Sequence, residues 1–355
     1  MIKLPGLIDI HVHFRTPGQT YKEDFFTGTS AALAGGYTTV IDMPNNKVPI
    51  TSLKTLEEKI KIAKKQAVCD FGFYYGSLGE NLDTFTKIQK KVFGLKIYLN
   101  QTTGGYIVDE KKFETICRKW PKKLPILLHA EDDVIGQMIE IAGRAGQRIH
   151  ICHISSEKEL KTIINAKLKG YKVTCGVTCH HLFLNENNVK KLGPYGLMKP
   201  SIKPEKDVNF LWRHLNDIDI VESDHAPHTI DEKNSDKPPF GVPGLETTLP
   251  LLLTAVNENK LSLARLIELC YANPKRIFKV PTDKNTYVEV DENKEYIVEN
   301  KNLQTKCGWS PFAGWKVRGK VKKVIIRGEK VYESGEVLVK PGFGKYVAPA
   351  ILRSE

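Results

Sequence analysis

Leu7-Ile8-Asp9-Ile10-His11-Val12-His13 is a short apolar run that ends in two histidines one residue apart. Side chains two apart on a strand leave it on the same face, so both imidazoles can point into one space at the strand's C-terminal end. Taken alone, His-x-His fits two polar residues at a strand end as readily as a metal-ligand pair. Runs of the same kind recur at residues 38–43, 70–75, 94–99, 126–129, 150–154, 172–177 and 218–223. Amphipathic helical patterns lie between them, at residues 53–65, 131–145 and 157–169, the last followed by Gly170 as a helix end should be. Eight strands alternating with helices predict an α/β fold, a (β/α)8 TIM-like barrel spanning residues 6–280.

After residue 280 the pattern changes to alternation and hairpin-like segments at residues 287–290 and 321–332, with Arg327-Gly328-Glu329 as a turn. This predicts a small β-rich appendage of residues 281–355, joined by residues 1–5. The tail from Pro341 is expected to be partly extended or a linker. The chain starts almost at the first barrel strand, so the appendage should come mainly from the C-terminal side. That suits a domain of a longer polypeptide and a short independent enzyme equally.

In a barrel all strand C-termini open on one mouth, and further candidate ligands stand at such positions: Lys96, His129, His153 and Asp224. Each alone could be a satisfied buried polar group; together with His11 and His13 they point to a metal centre. Lys96 is the odd member, because an ammonium cannot ligate a cation. Either it is a structural lysine paired with an acid, or its amine has added carbon dioxide to become a carbamate that can bridge two divalent ions.

Composition narrows the remaining possibilities. With 355 residues, 41% of them hydrophobic and 26% charged, the chain is that of an ordinary globular protein able to bury a large core. The net charge of +12 is spread in pairs such as Lys64-Lys65, Lys111-Lys112 and Lys322-Lys323 among acids, a solvated basic surface rather than a nucleic-acid footprint. It leaves a weak attraction for small anions. Seven cysteines without a Cys-x-x-Cys pair indicate neither a disulfide framework nor a zinc ribbon, and imply a reducing compartment. No apolar run reaches membrane-span length and no signal-peptide pattern opens the chain, so a cytoplasmic protein without nucleic-acid or membrane partners is expected.

The constellation resembles the amidohydrolase superfamily and, within it, the dihydroorotases, most of all the dihydroorotase domain of the multifunctional pyrimidine-synthesis protein of animals. The resemblance rests on residues 4–15, Met43-Pro44-Asn45, Gly94-Leu95-Lys96, Ser223-Asp224-His225-Ala226-Pro227-His228 and Pro243-Gly244-Leu245-Glu246-Thr247. It implies reversible cyclisation of N-carbamoyl-L-aspartate to L-dihydroorotate. By it, His11, His13 and Asp224 hold one zinc and His129 and His153 a second, with carbamylated Lys96 and a hydroxide bridging them. Asp224 doubles as general base and acid. Arg15, Asn45 and His228 take the substrate's α-carboxylate, and Thr102 belongs to a flexible active-site loop in which Thr103 replaces the relatives' aromatic residue and Gly104 and Gly105 allow motion. A further zinc in the animal domain uses a cysteine, matched by Cys152, and a glutamate whose place is taken here by Gly176, so that site is not expected. The resemblance also implies a homodimer and association or fusion with aspartate transcarbamoylase. Two rival readings are another cyclic-amide hydrolase, a hydantoinase or allantoinase, and an inactive scaffold domain of a pyrimidine-synthesis assembly.

Overall fold

The computed structural model describes residues 1–102 and 107–350. After β1 (Ile2–Pro5), nine strands build the barrel: β2 (Leu7–Val12), β3 (Tyr37–Asp42), β4 (Asp70–Phe73), β5 (Tyr75–Gly76), β6 (Leu95–Tyr98), β7 (Ile126–His129), β8 (Ile149–Ile151), β9 (Val173–Thr178) and β10 (Ile220–Glu222). They pair in parallel in chain order. β4 and β5 are halves of one barrel strand, interrupted at Tyr74, whose N–H still reaches Asp42 O at 3.1 Å. The ring closes between β10 and β2 through a parallel bridge, Val12 to His225, and a 2.8 Å bond from His13 N–H to His225 O. Eight strand positions therefore form the barrel, as the sequence predicts.

Two of those strands are shorter than predicted, 149–151 and 220–222. The backbone turns out of the sheet beyond each, with positive φ at His153 (37°) and Asp224 (43°). Every residue of β2 and β3 is buried, as expected of parallel strands covered on both faces. An apolar cluster containing Ile8, Ile10, Ile41, Leu127, Cys152 and Ile220 joins strands from opposite sides of the ring, so the interior is packed. Helices start where their caps allow: Ser52 with Thr55, and Ser156 with Glu159, make reciprocal capping boxes before Leu53–Gln66 and Glu157–Leu168. Among the described residues no helix is long and apolar enough to cross a membrane.

The appendage is a five-stranded antiparallel sheet, in the order β1, β11 (Tyr287–Ile297), β12 (Lys316–Ile326), β13 (Glu329–Glu333) and β14 (Glu336–Val337). Arg327 and Gly328, with φ of 54° and 83°, make the β12–β13 turn; positive φ at both central residues matches the twist of the flanking strands. The tail runs extended but docked. Tyr346 bridges Phe71 of β4, Val347 N–H bonds Phe71 O at 2.8 Å, and Arg327 pairs with Asp70 at 2.6 Å.

Glu246, in helix Leu245–Asn257, ties barrel to appendage: its Oε1 accepts from Gln304 N–H and Thr305 N–H, each at 3.0 Å. Burial pushes its carboxyl from the ordinary 4.5 up to about 8. Below the unfolded value both states hold the proton. Between the two values only the folded chain does, so stability falls as pH rises through about 8, by up to about 1.4 kcal/mol per pH unit. Glu246→Gln keeps the shared acceptor. It should remove this slope, seen as a flatter dependence of Tm on pH between about pH 5 and about pH 8; unchanged slopes would show that Glu246 does not carry it.

Candidate metal centre and substrate pocket

The barrel mouth brings the predicted ligands together. His11 and His13 come from the end of β2, Lys96 from β6, His129 from the end of β7, and His153 and Asp224 from the turns after β8 and β10; none exceeds 8% exposure. Asp224 Oδ1 lies 3.3 Å from His11 Nε2 and 3.1 Å from His13 Nε2. His129 Nδ1 lies 3.0 Å from His153 Nε2. Burial pushes all four imidazoles down, His13 to about 4, which keeps them neutral and their lone pairs available.

The far nitrogens decide where those lone pairs point. His11 Nδ1 bonds Glu222 Oε2 at 3.1 Å and His13 Nδ1 bonds Asn45 Oδ1 at 2.7 Å. Both acceptors require Nδ1–H, so both Nε2 atoms turn a lone pair towards a carboxylate oxygen. Such an arrangement is repulsive unless a cation lies among the three atoms. On the second side, among the described residues His153 Nδ1 is buried without a hydrogen-bond partner, and His129 Nε2 has only Glu131 Oε1 nearby, at 3.6 Å. His11, His153 and Asp224 offer ligand atoms within 4.8 Å of one another, and so do His11, Cys152 and Glu222. The donor set fits divalent metal ions of the zinc type.

Lys96 is 1% exposed and its Nζ donates to Cys152 Sγ at 3.1 Å. Among the described residues no carboxylate forms an ion pair with it, so it is not the acid-paired structural lysine that the sequence left open.

The pocket extends from this cage to Arg15, Asn45, Thr102, Tyr98, Phe240 and Lys199. Arg15, with φ of 58°, is held by Nε donating to Pro227 O at 3.1 Å, and its Nη2 lies 3.1 Å from His228 Nε2. His228 does not line the pocket: its ring sits behind Arg15, also 3.0 Å from Phe240 O and 3.2 Å from Lys22 Nζ. Of the three residues assigned to the carboxylate, the structure thus puts Arg15 and Asn45 on the wall and His228 in support. Thr102 is on the wall; Thr103, Gly104 and Gly105 lie outside the described residues.

Sequence reasoning missed Glu222 and Lys199. Glu222 stands two residues before Asp224, a position from which it could have been suspected. Lys199 sits in the irregular segment after β9, where no periodicity marks it.

Comparisons with known proteins agree with this geometry. A family model described as "Amidohydrolase family" matches residues 2–120. The chain is 46% identical over 353 residues to the multifunctional protein CAD of Squalus acanthias, an alignment covering 98% of this chain but only 16% of that protein. It is 37% identical over 365 residues to a dihydroorotase of Pyrococcus abyssi, covering 96% of this chain and 86% of the relative. The solved inactive dihydroorotase-like domain of a Chaetomium thermophilum CAD-like multifunctional protein superposes with a TM-score of 0.84 at 26% identity, covering 98% of this chain and 99% of that one. A closed parallel barrel with candidate ligands at the strand ends, and alignment along 86% of an archaeal dihydroorotase, lead to one conclusion: the chain belongs to the dihydroorotase family of amidohydrolases.

Proposed function

We propose that this chain interconverts N-carbamoyl-L-aspartate and L-dihydroorotate, and that His11, His13, His129, His153, Asp224 and Lys96 as its carbamate would hold two zinc ions. The observation that carries the reading is the pair of neutral imidazole lone pairs turned on Asp224 Oδ1 beside a wall bearing Arg15 and Lys199. The first demands a cation and the second suits an anionic substrate. The matching fold of an inactive domain makes the ligand set, rather than the barrel, the deciding feature.

Bound zinc supplies polarisation of the scissile carbonyl and a lowered pKa of water. The chain's own groups do the rest. Arg15, held by Pro227 O with His228 beside it, presents its guanidinium to the α-carboxylate. Asn45 fixes the tautomer of His13 from the same wall. Asp224 takes a proton in the hydrolytic direction and hands it to the leaving nitrogen. The Lys96 amine, once neutral, adds to carbon dioxide through a new N–C bond and releases a proton. The reading also includes a homodimer and association or fusion with aspartate transcarbamoylase, tested by sedimentation of the chain alone and with that enzyme.

Protein loaded with zinc and bicarbonate should hydrolyse dihydroorotate in preference to hydantoin or allantoin. Lys199→Ala should raise KM for dihydroorotate about tenfold with kcat little changed, the mark of a contact made equally in ground and transition states. Faster turnover of hydantoin would change the substrate; an unmoved KM would remove Lys199 from substrate binding.

A further inference from the structure

We infer that Glu222 is the positioning residue of the zinc cage in this chain, one carboxylate that fixes a ligand on each side of it. The inference rests on the metal reading above. Glu222 ends β10 and is fully buried. Its Oε2 lies 3.1 Å from His11 Nδ1, and its Oε1 accepts the backbone N–H of His153. It therefore connects the ends of β2 and β8, strands that are not neighbours in the sheet. The first bond sets the His11 tautomer and strengthens Nε2 as a donor; the second holds the turn that aims His153. Among the described residues no lysine or arginine pairs with this carboxylate. A buried anion without such a partner destabilises the fold unless a cation stands beyond the imidazole it faces.

Gly176 of the adjacent strand β9 is the socket. A Cβ there would fall 2.7 Å from Glu222 Oε1 and 2.8 Å from Cδ, so any side chain at 176 displaces the carboxylate. The absence of a glutamate at 176 is thus coupled to the presence of one at 222. Glu222 could instead ligate a separate ion with His11 and Cys152, whose ligand atoms lie within 4.8 Å. Against that, both its oxygens are taken by N–H groups, and Cys152 Sγ accepts from Lys96 Nζ at 3.1 Å.

The test compares the metal-free and zinc-loaded protein with Glu222→Ala, Gly176→Ala and the double variant, measuring zinc stoichiometry, zinc affinity by chelator competition, and Tm without metal. Glu222→Ala should lower zinc affinity about 10- to 100-fold without lowering the metal-free Tm, a combination that a merely structural residue would not give. Gly176→Ala should weaken zinc in the same direction, and the double variant should be no worse than Glu222→Ala alone, since the clash with the carboxylate is then gone and only a 3.2 Å approach to His150 Nε2 remains. Failure of the unsubstituted protein to bind zinc overturns the metal reading and this inference with it. Two zinc ions bound equally well by all forms overturns the role of Glu222 alone. A third zinc, lost in both Glu222→Ala and Cys152→Ala while two remain, replaces it with a separate metal site.

Discussion

Replacement of Lys96 by alanine is expected to give a folded protein that no longer retains its zinc pair and hydrolyses dihydroorotate about a thousandfold more slowly or worse. The amine is buried in a cage of neutral imidazoles, with a thiol as its hydrogen-bond acceptor and no described carboxylate in ion-pair range. As an ammonium it would repel the very cations that the lone pairs around it require. As a carbamate it supplies the missing negative charge and two oxygens from a position facing both halves of the cage. Alanine removes that charge and leaves a cavity, which a short carboxylic acid such as propionate should partly refill. Zinc per chain, the rate with and without propionate, and an intact mass carrying one added carbon dioxide in the unsubstituted protein check the idea together. Full zinc and full rate in the alanine variant would sink it.

Asp224→Asn should lower kcat by about a thousandfold, within the range lost when a general acid–base group is removed, with KM for dihydroorotate changed only a few-fold. Asparagine nearly preserves shape and can keep an oxygen near His11 and His13, so substrate binding at Arg15 and Lys199 is left in place. What it cannot do is take up a proton at its second position while Oδ1 stays 3.1 Å from His13 Nε2. Single-turnover rates at matched zinc content separate this loss from simple loss of metal. A rate within tenfold of the unsubstituted protein would place the base elsewhere.

The barrel and the clustering of the candidate ligands were legible because both follow from strand periodicity: short apolar runs give the ring, and a barrel collects whatever stands at their C-terminal ends. Where the chain leaves that regularity, the sequence is mute. Nothing in a histidine or an aspartate announces a positive φ, so the sixth and eighth strands were drawn too long. β11 was predicted to stop at residue 290, because Asp291 to Glu295 is polar, yet it continues to Ile297 across a register shift as pairing with β12 overrides local preference. His228 was assigned to the substrate from a resemblance, and only the packing shows it behind Arg15. Glu222 shares the two-residue spacing with Asp224, but its meaning depends on the missing side chain at Gly176 of the neighbouring strand, a relation that no single segment of sequence displays.

Arg15, His153 and Asp224 each occupy the left-handed backbone region, with φ of 58°, 37° and 43°. For a residue with a Cβ that region is disfavoured by about 1–2 kcal/mol, while glycine rests there freely. Chemistry and stability thus pull in opposite directions at three points of one pocket. A lineage released from turning over substrate would drift to glycine or asparagine at these codons first and become more stable as it did so. The decay of this activity would leave a sturdier protein, and these three positions are where its onset would first be visible.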